Sequence, residues 1–493
     1  VEAGRVTSKK INSSCLNYKK YITMKYNRFI NIPIFTVILF LVSCFTACEE
    51  EVEISPINED DYIVSNGLLG YVTNQEGKRV VGHVEFRNEG STFFYLNVSK
   101  KTSQDCTAAL MYDETALEAY NIKNQTSYRP FPENLVTIEN NGNLTVNAGN
   151  KKSEGIRISY RSDNTLDSED TYVIPLSVRA KSGDMTISRE EQTFLVFVKD
   201  LSSIIDCHKT NGVKIISCME VNDTNPLNNL CFTLKNNNKL LIDMVILFSA
   251  NIKYDIERQK VYIYNNPNVQ HILSNREKYL KPLQDRGMKV LLGILGDHDR
   301  AAVGNLADET ARAFAQEVKA MCDAYQLDGV FMDDEHSDVM YPAPPGFVNS
   351  SSAAAGRLCY EIKQAMPDRI MAVYVYTTTY NLPTIDGHRS GEYVDYGIHD
   401  YGRNSDLSYN YPGMPKANMA LWSQELNERR GTEVTEDQLR TARNNGYLSH
   451  MIFAMDPTRY GFQQTQLQDL EKIAGGYFDD ELLYDEKPYK KDW

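Results

Sequence analysis

The stretch LDGVFMDDEHS, Leu327 to Ser337, decides how the rest of the chain is read. It opens as a buried strand, with Val330, Phe331 and Met332 in an apolar run, and closes on the carboxylates of Asp333, Asp334 and Glu335. Side chains alternate across a strand, so Phe331, Asp333 and Glu335 share one face while Val330, Met332 and Asp334 share the other. Two acids therefore point the same way, their backbone positions about 6 to 7 Å apart at a strand's rise per residue. Carboxylates at that spacing reach one substrate and perturb each other's ionisation, which suits general acid and base work. By the same parity Asp334 is expected to be structural, and Asp328 to anchor the start of the strand.

Working outward, strand-like and helix-like runs alternate on both sides. Before the acidic stretch come KIISCMEV, DMVILFSAN, a helix over Val269 to Gln284, the strand KVLLGILG and a helix over Asp308 to Tyr325. After it come a helix over Ala353 to Ala365, RIMAVYVYT, VDYGIHDYG, ANMALWSQE, the helix EDQLRTARNNG, SHMIFAMD and a last helix over Thr465 to Ala474. Eight strands in that rhythm predict a (β/α)8 TIM barrel over residues 210–478, some helices shortened or replaced by loops, with a C-terminal tail over 479–493. A doubly wound open sheet is the alternative, but no glycine-rich phosphate loop follows the first strand. A barrel keeps its functional residues at the carboxyl ends of its strands, where Asp333 and Glu335 stand.

Residues 49–200 read differently. Short alternating segments such as VVGHVEFRN, TFFYLNVSK, EGIRISYRS and EQTFLVFVKD are separated by Asn, Gly and Ser, and one helix interrupts them at Glu114 to Asn124. This predicts an antiparallel β-sandwich joined to the barrel by a linker over 201–209, so the fold class is multidomain, β-sandwich followed by TIM barrel. Upstream, Met24 begins a short basic region, an apolar run from Ile30 to Phe45, then Thr46, Ala47 and Cys48. The order is that of an export signal over 24–48, and residues 1–23 are expected to be an upstream misannotation. The run is too short to be a comfortable transmembrane helix.

The formal net charge of −14 argues against nucleic acid or an anionic membrane surface as the main partner. The nine cysteines show neither CxxC pairs nor His partners at zinc spacing, so neither a metal site nor a cofactor is expected. Cys322 and Cys359 fall in helical patterns as buried thiols, while Cys207, Cys218 and Cys231 are placed to allow a disulfide in an oxidising compartment.

With these elements set out, the barrel half resembles glycoside hydrolase family 18, specifically the endo-β-N-acetylglucosaminidases of the endoglycosidase H and F types. The resemblance rests on EVNDTNPLNN after strand one, FSANIKYD after strand two, KVLLGILGDHD at strand three and, above all, LDGVFMDDE at strand four. Of the family's strand-four pattern DGxDxDxE, Asp328, Gly329, Asp333 and Glu335 match, whereas Phe331 replaces the middle aspartate. The stretch YDETALEAYNIKNQTSYRPFPENLVTI resembles an N-terminal domain of surface glycan-processing lipoproteins, read here as a spacer or weak glycan-binding module. The signal resembles that of a bacterial lipoprotein, in which Cys48 is acylated and Glu49 to Glu51 look like the tag of outer-surface lipoproteins in Gram-negative bacteria. Cys44 is the competing site, and an ordinary cleaved signal the alternative.

The resemblance implies that Glu335 is the general acid and that Asp333 orients the substrate's own 2-acetamido group, which attacks the anomeric carbon. Such substrate-assisted chemistry departs from the usual two-carboxylate scheme. Tyr401, in IHDYG on strand six, is implied as the donor to the acetamido oxygen, with His399 in the neighbouring polar position and Tyr396 as the back-up tyrosine. Asp297 and His298 after strand three and Asp456 after strand eight are expected to line the sugar cleft. The implied function is hydrolysis between the two core N-acetylglucosamines of N-glycans, by a monomer held at the outer membrane through a lipid anchor. A chitinase-like hydrolase and a non-catalytic glycan-binding surface protein are the alternatives, and the presence of Glu335 argues against the second.

Overall fold

The structure, a computed structural model, describes residues 67–182 and 184–493. The expected signal over 24–48, its Cys48 and the segment 1–23 lie outside the described residues. No helix among the described residues is long and apolar enough to cross a membrane.

Residues 68–200 form two facing sheets. One runs in the order Met185–Ile187, Leu68–Asn74, Glu89–Val98, Ile156–Arg161 and Val136–Ile138. The other runs Val81–Phe86, Thr193–Asp200, Tyr172–Ser182, Cys106–Tyr112 and Asn143–Val146. Alternation drives the packing: Phe94, Leu96, Ile158, Leu176 and Val196 point between the sheets and are buried, while their sequence neighbours face outward. The sandwich is not wholly antiparallel, because Leu68–Gly70 pairs in parallel with Met185–Ile187, and Val81–Phe86 with Leu195–Asp200. The helix Glu114–Asn124 is capped by Asp113, whose side chain accepts from the Thr115 amide.

The second half is a closed barrel of eight parallel strands: Lys214–Glu220, Met244–Asp255, Lys289–Leu295, Gly329–Asp333, Ile370–Val375, Tyr396–His399, Met419–Glu425 and Ser449–Phe453. Strand one pairs with both strand two and strand eight, which closes the cylinder. Parity divides each strand between two cores. Ile216, Ile246, Leu291, Phe331, Tyr374, Ile398 and Met451 fill the barrel interior, while Val330, Met332 and Val373 pack outward against helices. The helix Asp308–Tyr325 turns Ala311, Phe314, Val318 and Cys322 inward at helical spacing and stops where Gln326 adopts a left-handed conformation.

The continuous helix expected over 269–284 is broken into Pro267–Ser274, Arg276–Tyr279 and Lys281–Gln284. Asn275 leaves helical geometry between the first two pieces, and Pro282 has no amide to donate in the third. The last helix runs further than expected, over Gln466–Phe478. Beyond it, Leu482–Tyr484 pairs with Phe232–Leu234, and the Trp493 ring stacks on His271.

The amino-terminal end of the barrel is closed by a repeated clamp. Asp243, Asp328 and Asp395, each just before a strand, accept the amides of Ile215, Val290 and Met371 at 2.9, 3.0 and 2.7 Å. Each also meets a lysine: Lys214 at 3.2 Å, Lys289 at 2.9 Å and Lys363 at 2.9 Å. The sandwich is fixed to this half by Arg87, which donates to the carbonyls of Leu201, Ile204 and Asp285 at 2.7, 2.8 and 2.6 Å.

Candidate active site

A cleft of about 520 Å³ opens at the carboxyl ends of the barrel strands. Strand four supplies Phe331 and Asp333 to it and the loop just after the strand supplies Glu335, in agreement with their shared parity. Phe331 is buried in its floor between the rings of Phe248 and Tyr374, each with its centroid 6.4 Å away. The seat that the family pattern gives to a carboxylate is thus an aromatic one.

Asp333 is 6 % exposed, and its Oδ1 has no hydrogen-bond partner. Burial raises its pKa well above the usual carboxylate range, and the Glu335 carboxylate, a hydrogen bond with Glu335, and the charges of Asp334 and Asp400 raise it further. Asp333 therefore holds a proton at pH values where an ordinary aspartate has lost it. Asp334 points away and is tied down, its carboxylate accepting from the hydroxyls of Thr377 and Thr378. Asp328 lies at the opposite end of the strand in the clamp described above.

The remaining predicted residues divide. Tyr401 lines the cleft, with the Arg430 guanidinium 4.7 Å over its ring. Burial, followed by the neighbouring Cys218 and Asp333, pushes its phenol pKa far up, so it stays a hydrogen-bond donor. His399 does not reach the cleft: it is buried on the helix side, where its Nε2 lies 2.9 Å from the Ser405 carbonyl. Burial lowers its pKa and keeps it neutral. Tyr396 packs against the barrel interior below the cleft. Asp297 and His298 line an adjoining groove of about 530 Å³. This groove shares Glu220, Phe248, Leu295 and His336 with the cleft. Asp297 is held there by Lys253 at 2.5 Å. Asp456 closes a local turn, accepting from the Thr458 amide and hydroxyl at 2.9 and 2.6 Å, and lines neither space.

Four cleft residues were not picked out by the sequence reading. Tyr374 donates to Asp400 at 2.7 Å, and Asp400 also accepts the Tyr401 amide at 2.8 Å. Tyr374 lies two residues beyond the inward-facing Ala372, so parity alone reveals it. Asp400 likewise follows the inward-facing Ile398, which is why it, rather than His399, reaches the cleft. Glu220 and Arg430 arrive from strand one and the loop after strand seven, and only closure of the barrel brings them beside strand four. Cys207, Cys218 and Cys231 are free thiols, so the disulfide allowed by their spacing is not formed. No group of three or more His, Cys, Asp or Glu side chains among the described residues is arranged to hold a metal ion.

Comparison with known proteins agrees with this geometry. A family model described as “-like, N-terminal domain” matches residues 64–185. Endo-beta-N-acetylglucosaminidase F1 of Elizabethkingia meningoseptica is 57% identical over 283 residues, which is 57% of this chain and 83% of that protein. An endo-beta-N-acetylglucosaminidase of a Flavobacterium species is 31% identical over 43% of this chain and 65% of its own length. The solved structure of EndoBT-3987 from Bacteroides thetaiotamicron with its Man5GlcNAc product is 35% identical, with a TM-score of 0.54, and covers 85% of this chain and 99% of that one. The same enzyme is also solved with a Man9GlcNAc2Asn substrate.

Proposed function

We propose how the cleft works from one premise: the chain belongs to the endo-β-N-acetylglucosaminidases of glycoside hydrolase family 18. It hydrolyses the bond between the two core N-acetylglucosamines of N-glycans, and N-glycans or glycoproteins are its substrates. In our reading Glu335 gives its proton to the leaving glycosidic oxygen. Asp333 accepts from the N–H of the substrate's acetamido group and turns the acetamido oxygen onto the anomeric carbon, so the sugar's own amide acts as the nucleophile. Water then opens the oxazolinium intermediate from the face that the leaving group vacated, losing a proton to the Glu335 carboxylate, so the acid is restored and the configuration is retained. The Tyr401 phenol donates to the acetamido oxygen as charge develops. Asp400, held by Tyr374, fixes the backbone of Tyr401 through its amide.

The observation that carries this assignment is the buried Asp333 with a free oxygen beside Glu335 in one cleft. Incubation with a high-mannose and a complex-type glycoprotein, read by intact mass, tests it. The expected product keeps one N-acetylglucosamine on the protein. A glycoprotein bound but unchanged in mass would instead make the chain a glycan-binding protein.

The protein works outside the cytoplasm. We further propose that Cys48 is acylated and anchors it to the outer membrane, on the strength of the apolar run Ile30–Phe45 and the acids that follow the cysteine. Cys48→Ala is expected to release the protein from membrane fractions. Release by Cys44→Ala alone would move the anchor to that residue.

A further inference from the structure

The sandwich sheet that contains Glu89–Val98 and Ile156–Arg161 carries a second cleft on its outer face, about 440 Å³ in volume. Ser91 and Thr137 lie on either side of Ser159, which the strand Ile156–Arg161 carries, so three hydroxyls stand in a row across three strands. At the usual strand spacing that row spans about 10 Å. Arg157 and Arg161 flank it, each two residues from Ser159 on the same exposed face and so about 7 Å away.

Arg157 is held in place, and neither arginine closes into a direct ion pair. The Arg157 guanidinium lies 5.2 Å over the Phe93 ring, and further along the same face the Lys152 ammonium lies 3.9 Å over Tyr95. Among the described residues neither Arg157 nor Arg161 forms an ion pair within 4.0 Å. Glu139 accepts from the Arg157 backbone amide at 2.8 Å, and Glu89 stands across from Arg161 without closing on it. Rings already covered by cations are closed to stacking by a neutral sugar. A guanidinium over a ring is held by its cationic face while its N–H donors stay available, and those match the paired oxygens of a carboxylate or sulfate. In a chain of net charge −14, two arginines without a direct ion-pair partner beside a hydroxyl row favour an anion that also offers hydroxyls.

We propose that this trough binds an acidic glycan, with Arg157 and Arg161 taking sulfate or carboxylate groups and Ser91, Ser159 and Thr137 hydrogen-bonding the sugar hydroxyls. The site lies on a different domain from the hydrolytic cleft and does not depend on the roles assigned there. It gives the enzyme a second hold on acidic glycan surfaces while the barrel works on its own substrate.

The test is affinity electrophoresis of the full chain through gels containing heparin, polysialic acid or neutral dextran, with phosphatidylglycerol vesicles in a parallel flotation assay. Retardation by both acidic polymers and none by dextran is expected. Arg157→Ala with Arg161→Ala should weaken it at least tenfold, and Ser159→Leu, which fills the trough and keeps every charge, should also abolish it. Hydrolysis of a high-mannose glycoprotein should be unchanged in each. If the double variant melts early, Arg161→Gln at its exposed position replaces it. The proposal fails if neither acidic polymer retards the protein. It also fails if Ser159→Leu binds like wild type, which would leave only diffuse attraction, or if only the vesicles are bound, which would make the ligand a lipid phosphate.

Discussion

The two ends of the barrel each bury an aspartate, and they treat it in opposite ways. At the amino-terminal end Asp243 has Lys209 at 2.7 Å, Lys214 at 3.2 Å and the Ile215 amide at 2.9 Å, so its charge is matched and its oxygens occupied. At the carboxyl end Asp333 has a free oxygen and is crowded by Glu335, Asp334 and Asp400, all of its own sign. Folding alone favours the first arrangement. The second costs stability, and the chain keeps it where a substrate can use it. Pairing thus separates a structural carboxylate from a chemical one where burial does not, since the two aspartates are 4 % and 6 % exposed.

The largest expected effect breaks the chemical end alone. Glu335→Gln keeps the shape of the side chain and removes the proton donor, so turnover should fall by about 100 to 10,000-fold with the melting temperature unchanged. Wild-type turnover in that variant would take Glu335 out of the mechanism. The structural end should answer in the other currency. Asp243→Asn strands the Lys209 ammonium, which is 2 % exposed and hydrogen-bonded to the carbonyls of Leu240 and Leu241. A loss of about 3 to 5 kcal/mol in denaturant unfolding is expected, with activity per folded molecule retained. A catalytic defect without a stability defect would undo the contrast.

The sequence made the barrel legible because each strand is an apolar run bounded by polar residues, and because parity placed Asp333 and Glu335 together. It failed where closure or local chemistry decides. Nothing near Glu220 or Arg430 in sequence says that they face strand four, since that depends on which strands meet when the cylinder closes. Tyr374 and Asp400 were readable by counting in twos from Ala372 and Ile398; the resemblance drew attention to His399 instead, whose place on strand six turns it toward Ser405. Asp456 carried its own signal in Thr458, a turn-forming hydroxyl two residues on. The broken helix over 267–284 follows from Asn275 and Pro282, whose local preferences override an apolar periodicity that runs through them.

Asp333→Asn sharpens the comparison through pH. The folded protein raises the pKa of Asp333, so between the unfolded value, about 4, and the folded one the native state binds more protons than the unfolded state. Stability must therefore fall as pH rises through that window. Asparagine has no such linkage. The variant should gain stability relative to wild type as pH is raised above about 4 and lose that advantage below it. Hydrolysis should be impaired, yet a preformed sugar oxazoline should still serve as donor, because it bypasses the step that Asp333 assists. Equal inactivity toward both substrates would assign Asp333 a structural role.

The smallest effect compares one hydrogen bond at each end. Tyr374→Phe deletes the 2.7 Å bond to Asp400 and leaves that carboxylate the Tyr401 amide at 2.8 Å and Arg403 at 3.3 Å. A bond to a charged group is worth about 1.5 to 3 kcal/mol, and its loss frees the Asp400 carboxylate from one of the groups that fix its position. The Asp400 charge is then held less firmly toward Asp333, and one contribution to the raised Asp333 pKa weakens. Glu335 is one cause of the raised Asp333 pKa and both carboxyls face one cleft, so the pH–rate profile is expected to be bell-shaped, with limbs that belong to the pair. In Tyr374→Phe the limb in which Asp333 takes part should move to lower pH, with peak turnover close to that of wild type. Lys289→Met at the opposite end removes the half-exposed partner of Asp328, 2.9 Å away. It should cost at most about 1 kcal/mol of stability and leave the pH–rate profile in place. A profile that moves equally in both variants would mean that the two ends of the barrel are electrostatically coupled, and that pairing does not divide structure from chemistry in this fold.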